Sequence, residues 1–247
     1  MAASGFDHYS APAMSPFFRY QLRTTDVEAA RAFYARVLGY EDASVVPLHE
    51  QALARGARPH WLGFIDVTPR EVDATVAAFA TRGAQPLGPK WINPEGLEAA
   101  VMRDPGGAVV ALARPPQPHQ GGSAHDIAWH LLNTPDVESA KANYTELFGW
   151  HFFEPLAVAE GVVHPFAWQP GAPSGGAFYD IAARPAVHPH WLFHFRTASL
   201  TAALEAVQSS GGTALGPLSL PNGATIAVCD DPQGAAFALV EMPNGKE

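Results

Sequence analysis

The chain contains an internal duplication, and this feature limits the folds available to it more than any other. Three segments of the first half return in the second half in the same order. The matched pairs are TTDVEAARAFYARVLGY (24–40) with TPDVESAKANYTELFGW (134–150), HWLGF (60–64) with HWLFH (190–194), and DPGGAVVAL (104–112) with DPQGAAFAL (231–239). This repetition predicts two copies of one structural unit, because each copy has the same hydrophobic and turn pattern.

The positions of the matched segments set the domain boundaries. The Pro- and Gly-rich stretch RPPQPHQGGSA separates the copies, as expected for a linker. We predict a flexible leader at 1–15, unit one at 16–115, a linker at 116–125 and unit two at 126–243. The offset between the copies grows from 110 to 130 residues, so unit two is expected to hold an insertion within 151–189. This insertion should complete a hairpin that is truncated in unit one.

Each unit has the pattern of two βαβββ modules. The alternating aromatic stretch FFRYQLR predicts an opening strand, and helices are predicted at 26–38 and 136–148, with Gly39 as a stop signal. A second strand and helix follow in each unit, and the DPGG and DPQG turns each join two final strands. The chain is therefore assigned to the α+β class, as a tandem duplication with four βαβββ modules.

Composition excludes several classes of partner. The net charge is −9 without a lysine or arginine cluster, which argues against nucleic acid and anionic membrane surfaces. No apolar run is long enough to span a bilayer, and the opening residues lack a secretory pattern. Cys229 is the only cysteine, so no intrachain disulfide forms and a reducing cytoplasm is expected. The expected partner is a small molecule, bound by a monomer with internal pseudo-symmetry or by a homodimer.

The modular order, the TDVEAARAFYARVLGY helix and the DPxG turns resemble the vicinal oxygen chelate superfamily of glyoxalases, bleomycin-resistance proteins and extradiol dioxygenases. The resemblance covers nearly the whole chain, as a tandem two-unit member. It implies that the four modules form two cup-shaped eight-stranded sheets, whose cups hold ligands. It does not fix the reaction, since the superfamily contains both enzymes and non-catalytic binding proteins.

In metal-binding members of this family, each cup takes metal ligands from three positions. The residues that match those positions are Arg19, His60 and Ala111 in unit one, and Trp129, His190 and Ala238 in unit two. Only one of the three can coordinate in each unit, because arginine has no free lone pair and alanine no donor atom. We therefore expect no metal cofactor, with a divalent metal at a noncanonical site as the alternative.

Strand alternation places most polar residues on one face of each candidate strand. We interpret this face as the wall of the cup, backed by an aromatic face that packs beneath the helices. His130 falls on the helix-facing side, opposite to Trp129. The candidate ligand-binding residues are Arg19, Gln21, Arg23, His60, Trp129, Asn133, His190, His194 and Arg196, and no catalytic residue is assigned.

The pairing of the modules decides which candidates meet. If modules pair across units, the strand of Arg19 and Arg23 joins the histidine strand of unit two in a basic cup suited to a carboxylate or phosphate. The other cup then combines Trp129 and Asn133 with His60 and suits an aromatic ring. If each unit closes on itself, Arg19 and Arg23 meet His60, and Trp129 meets the histidine strand. Both arrangements remain open at this point.

The function expected from these observations is binding of an anionic or aromatic small molecule by a protein with a degenerate metal site. The alternative is a lyase, isomerase or dioxygenase of the same superfamily that uses a noncanonical site. A histidine close to an arginine is able to act as a general base in such an enzyme.

Overall fold

In the computed structural model, residues 15–39, 44–68, 70–116, 127–158, 161–220 and 223–243 are described. The predicted leader at 1–15 and the predicted linker at 116–125 lie almost wholly outside these residues. None of the helices in the described ranges is long and apolar enough to cross a membrane.

Unit one begins with the predicted strand and helix. Its elements are β1 (Phe17–Thr24), α1 (Val27–Leu38), β2 (Val45–Pro47), α2 (Glu50–Ala54), β3 (His60–Asp66), α3 (Val72–Ala80), β4 (Gln85–Pro86), β5 (Trp91–Ile92), β6 (Glu98–Arg103) and β7 (Val109–Arg114). The carboxylate of Asp26 accepts from the N–H of Ala29 at 3.0 Å, and Gly39 ends α1 with a φ of 72°. A capping carboxylate and a left-handed glycine are usual helix ends, and the helix predicted at 26–38 is confirmed.

Unit two repeats this order with more strands. Its elements are β8 (Ile127–Thr134), α4 (Val137–Phe148), β9 (His151–Phe152), β10 (Leu156–Val158), β11 (Gly161–Ala167), β12 (Gly176–Asp180), β13 (His190–Arg196), α5 (Leu200–Ser209), β14 (Thr213–Ser219), β15 (Thr225–Asp230) and β16 (Ala236–Glu241). Helix α4 confirms the prediction at 136–148. Four strands, β9 to β12, occupy the region where the described residues of unit one form β2 and α2, so the longer second copy does complete a hairpin, β10–β11.

The strands form two mixed sheets, one in each unit. Within the described residues, the unit-one sheet has seven strands in the order β2-β1-β3-β7-β6-β4, with β5 also paired to β6. The unit-two sheet has nine strands in the order β10-β11-β12-β8-β13-β16-β15-β14, with β9 also paired to β11. The α+β class is confirmed, but the prediction of eight strands in each sheet is wrong. In the part of the first module that the structure describes, unit one supplies β1 and β2, and the insertion in unit two divides into several short strands.

One hydrophobic core joins the two units. It includes Trp61 and Leu112 from the unit-one sheet, and Trp191 and Phe193 from the unit-two sheet. Strand β3 contacts β13 across it, while α1 packs against α5 and α3 against α4. We call the face of each sheet that contributes to this core its core face, and the opposite face its outer face.

Two matching hydrogen-bond relays cross between the units. They are Trp61–Tyr34–Asp231 and Trp191–Tyr144–Asp104. In each relay the indole N–H donates to the tyrosine hydroxyl, at 3.0 and 3.3 Å, and this hydroxyl donates to the carboxylate at 3.2 Å. The two aspartates begin the DPQG and DPGG turns, so each turn is bound by a helix of the other unit.

Candidate functional site

The register of the strands shows which candidates share an outer face. In the unit-one sheet, the residues opposite each other on this face are Arg19 and Phe64, Gln21 and Leu62, and Arg23 and His60. In the unit-two sheet, they are Trp129 and His194, Leu131 and Leu192, and Asn133 and His190. The alternate positions of the same strands point into the common core.

The modules pair within units, which is the second of the two arrangements considered above. The basic cup that would combine Arg19 with His190 does not form, because these residues belong to different sheets. Arg196 lies at the exposed end of β13, in the unit-two sheet. The structure therefore separates the arginines of unit one from the histidines of unit two.

The outer face of the unit-one sheet is filled by the chain's own side chains. They form a second hydrophobic cluster that consists of Phe18, Leu62, Phe64, Leu97, Ala99, Ala111 and Ala113, with Trp91 packed against it. The guanidinium of Arg19 lies 5.9 Å from the centre of the Phe64 ring, and its Nη1 lies 3.7 Å from the carboxylate of Glu95. The middle of this face is therefore already occupied.

The outer face of the unit-two sheet carries no such cluster in the described part of the chain, although Leu192, His194 and Val240 on this face are only 3%, 4% and 4% exposed. The repeat aligns Phe18 with Ala128 and Phe64 with His194. Among the described residues, none on this face belongs to either hydrophobic cluster. Leu215 and Leu218 of β14, which share the face through their pairing with β15, are 75% and 46% exposed. This apolar surface is the candidate site of the molecule.

Polar groups on the candidate site come mainly from Asn133 and His190. The side-chain amide of Asn133 donates to Nε2 of His190 at 3.3 Å, and Nδ1–H of His190 donates to the carbonyl of His188 at 2.8 Å. Burial lowers the pKa of His190. These bonds hold the imidazole in one tautomer, so the pair presents uncharged hydrogen-bonding groups at neutral pH.

His194 belongs to β13 on the same face of the sheet, and only 4% of it is exposed. Burial lowers its pKa to about 4, which outweighs the opposing effect of the carbonyls of Trp129 and Leu192. Its Nδ1 is buried and has no hydrogen-bond partner in the described part of the chain. The imidazole is therefore neutral at physiological pH.

We expect acid to destabilise the protein through His194. Its folded-state pKa of about 4 lies below the unfolded value of about 6.5. The unfolded chain therefore binds more protons between these pH values, and stability present above pH 6.5 is lost as the pH falls toward 4. In urea titrations, His194→Phe should reduce the loss of unfolding free energy between pH 7 and pH 4.5 by about 2 kcal/mol.

Two other buried groups titrate in the same pH interval, and they contribute equally to the acid sensitivity of the parent and of the variant. The pKa of His130 is also lowered to about 4 by burial, while burial raises the pKa of Asp104 to about 6. The contribution of Asp104 has the opposite sign to that of the histidines. Its buried charge lowers the unfolding free energy at neutral pH, and this loss disappears as Asp104 is protonated below about pH 6. Both groups are shared by parent and variant, so equal acid sensitivity of the two proteins would contradict the assignment to His194.

His130 has a structural role at the interface of the units. Its Nε2 accepts from the hydroxyl of Tyr20 at 2.5 Å, and its Nδ1–H donates to the carbonyl of Gly175 at 2.8 Å. The ring stacks on Phe17 with centroids 5.2 Å apart. As strand alternation predicted, His130 lies on the face opposite to Trp129, but the ring packs against strand residues of unit one such as Phe17 rather than against a helix.

The positions that the resemblance assigns to metal ligands carry one coordinating side chain in each unit. His60 and His190 are the coordinating residues at those positions, and the remaining ones carry arginine, tryptophan or alanine. Across the described ranges, no group of three or more His, Cys, Asp or Glu side chains is arranged to hold an ion. A divalent metal needs several such donors, and the described residues of neither outer face group them in this way.

Sequence reasoning missed several residues that define the candidate site. Ala128 was overlooked, and so were the exposed leucines of β14. The signal was present in the matched segments HWLGF and HWLFH, which differ at Phe64 and His194. The open face becomes apparent only when each candidate is compared with its own copy in the other unit.

Comparison with known proteins supports the fold over most of the chain. Residues 126–239 match the family model described as "Glyoxalase/Bleomycin resistance protein/Dioxygenase superfamily". A protein of Mycobacterium tuberculosis (strain CDC 1551 / Oshkosh), provisionally named glyoxylase CFP32, is 26% identical over 246 residues, covering 89% of this chain and 92% of that protein. The anthracycline biosynthesis protein DnrV of Streptomyces peucetius is 29% identical over 154 residues, covering 59% of this chain and 53% of DnrV.

Solved structures show the same architecture at low sequence identity. The 2,3-dioxygenase LapB from Pseudomonas sp. KL28 superposes with a TM-score of 0.59 and 14% identity, covering 93% of each chain. An extradiol ring-cleaving dioxygenase from B. fuscum gives a TM-score of 0.62 and 18% identity, covering 94% of this chain and 73% of the dioxygenase. These matches show the fold and leave the chemistry to be argued from the site.

Proposed function

Since residues 126–239 match the model of the glyoxalase/bleomycin resistance protein/dioxygenase superfamily, we propose that this two-unit chain binds an uncharged aromatic small molecule on the outer face of the unit-two sheet. The observation that carries the proposal is the difference between the two copies. Unit one fills its outer face with Phe18 and Phe64, whereas unit two has Ala128 and His194 at the same positions. A flat ring from a ligand takes the place of the missing side chain.

The chemistry of the face favours an uncharged ligand. The residues in its middle are Trp129, Leu131, Asn133, His190, Leu192, His194, Ala238 and Val240, of which the two histidines are the only titratable side chains. Burial lowers the pKa of both, so neither carries a charge that would attract an anion. Trp129 offers a stacking surface, and the Asn133–His190 pair offers hydrogen bonds to a hydroxyl or carbonyl group.

Binding is favoured over catalysis by the donor set at the metal positions. An enzyme that follows the metal-dependent chemistry of its family needs several coordinating side chains, and each unit has one. One relative is named as an anthracycline biosynthesis protein, and anthracyclines are fused-ring aromatic compounds. This name agrees with an aromatic ligand and adds nothing on a reaction.

The test compares an uncharged aromatic probe with its charged analogue. We expect 1-naphthol to bind the parent protein in calorimetric titrations, and 1-naphthoate to bind this site more weakly. The double variant Ala128→Phe/His194→Phe gives unit two the filling of unit one. It should weaken 1-naphthol binding at least about tenfold, because its rings occupy the space of the ligand.

A matched control adds the same ring elsewhere. Leu53→Phe lies on α2 of unit one at a position that is 40% exposed, and it should leave 1-naphthol binding unchanged. If the double variant binds 1-naphthol as tightly as the parent, or if both aromatic additions weaken it equally, the ligand does not occupy this face.

A further inference from the structure

We propose that the outer face of unit one carries a second, separate site for a small carboxylate, built around Arg23. This site goes beyond the aromatic site of unit two, since it lies in the other sheet and has the opposite chemistry. The proposal rests on the state of one arginine, on its neighbours in the sheet and on the distribution of charge over this face.

Arg23 is a half-buried cation for which no described residue serves as a counter-ion. Its Nε is fully buried and has no hydrogen-bond partner, and its guanidinium forms no ion pair with any described residue. Burial lowers its pKa, with a further contribution from the charge of Arg19. An unpaired buried donor on a charged group is costly, so the empty site is less stable than one in which an anion accepts from Arg23.

The neighbours of Arg23 are further hydrogen-bonding groups. His60 lies directly opposite it in the β1–β3 ladder, and directly opposed side chains have Cβ atoms about 5 Å apart. Nδ1–H of His60 donates to the carbonyl of Arg58 at 2.7 Å, which leaves Nε2 available to a ligand. Gln21, two residues before Arg23, uses Nε2 to donate to Ser44 at 3.2 Å and keeps a second amide hydrogen. Two strands therefore bring polar groups to one end of the face.

No carboxylate of a described strand lies at this end of the face. Asp66, which shares the outer face, lies at the far end of β3, about 20 Å away at 3.3 Å per residue. There it accepts from the N–H of Thr68 at 2.8 Å. Glu95 is held by Arg19. In a chain with a net charge of −9, such a positive region attracts small anions.

The corresponding end of the unit-two sheet has lost this charge. The repeat aligns Arg23 with Asn133 and Gln21 with Leu131, while His60 and His190 are both histidine. The two copies therefore differ by one guanidinium at otherwise similar positions. A carboxylate matches that group, because its two oxygens accept two parallel N–H bonds from the planar fork of arginine.

The test uses succinate as the probe and succinamide as its uncharged analogue, titrated into the full chain at constant ionic strength. We expect succinate to bind with measurable heat and succinamide to give none. Arg23→Met should weaken succinate binding at least about tenfold, because the charge-assisted bonds are lost. Arg23→Lys should bind with intermediate strength, since it keeps the charge and loses the fork.

Two controls separate this site from general charge effects and from the site of unit two. Arg55→Met removes the same charge from an exposed position at the end of α2 and should leave succinate binding unchanged. Ala128→Phe/His194→Phe should weaken 1-naphthol binding and leave succinate binding unchanged, so failure of one site is distinguishable from failure of the other. No heat with succinate, or equal losses in Arg23→Met and Arg55→Met, would overturn the proposal.

Discussion

Replacing Asp104 with alanine is expected to lower the free energy of unfolding by about 3–5 kcal/mol. The residue is 4% exposed, and its carboxylate accepts from the N–H of Ala108 at 2.8 Å and from the hydroxyl of Tyr144 at 3.2 Å. Alanine leaves these buried donors without a partner, and each then bears its full desolvation penalty. Guanidinium titration followed by tryptophan fluorescence measures the loss.

Two variants show that hydrogen bonding, rather than charge, produces this loss. Asp104→Asn keeps an acceptor for Tyr144 and removes the charge that burial opposes, so it should lose clearly less stability than Asp104→Ala. Asp73→Ala removes an exposed aspartate that pairs with Lys90 at 2.5 Å, and it should cost less than about 1 kcal/mol. An Asp104→Ala protein as stable as the Asp73→Ala protein would show that the relay does not stabilise the fold.

Replacing Phe193 with alanine is expected to cost about 3–5 kcal/mol. The ring is fully buried at the meeting point of the units, with its centre 5.6 Å from Phe17, 5.0 Å from Tyr20 and 5.9 Å from His130. A Cβ placed on Gly63, its copy in unit one, would lie only 2.7 Å from this ring. The ring is therefore packed tightly, and its removal leaves a cavity that the rigid surroundings fill only in part.

The same experiment tests whether the two units share one hydrophobic core. Because one hydrophobic cluster includes residues of both sheets, parent and Phe193→Ala should each unfold in a single transition, with the midpoint of the variant shifted to lower denaturant. Phe153→Ala, at a position that is 38% exposed, should cost less than about 1 kcal/mol. Two separate transitions in the parent would contradict a common core.

Much of the fold is predictable because it depends on local patterns. The apolar stripe of α1, its capping carboxylate and Gly39 lie within a short segment, and the same signals recur in α4. The alternation of the strands also placed His130 on the core face. These features follow from periodicities of 3.6 and 2, which are properties of neighbouring residues.

The candidate site was less predictable because it depends on contacts between distant segments. Pairing of β1 with β3, rather than with a strand of unit two, joins Arg23 to His60 and keeps Arg19 away from His190. No local pattern expresses that choice, since both pairings give the same alternation of polar and apolar residues. The open face of unit two depends in addition on Leu215, whose exposure is a property of the assembled sheet.

The crossed relays have a consequence for how such a chain can diversify. A symmetric dimer of single units could form the same two Tyr–Asp bonds, one from each subunit to the other. Both of its outer faces would then be encoded by one set of residues, and any substitution would appear on both. Joining the copies in one polypeptide keeps the Tyr–Asp bonds between the units, but the residues of each outer face are then encoded separately. The outer face of one copy can then be filled by side chains while that of the other copy is not. In both copies the aspartate of the turn keeps its bond to the tyrosine of the other unit.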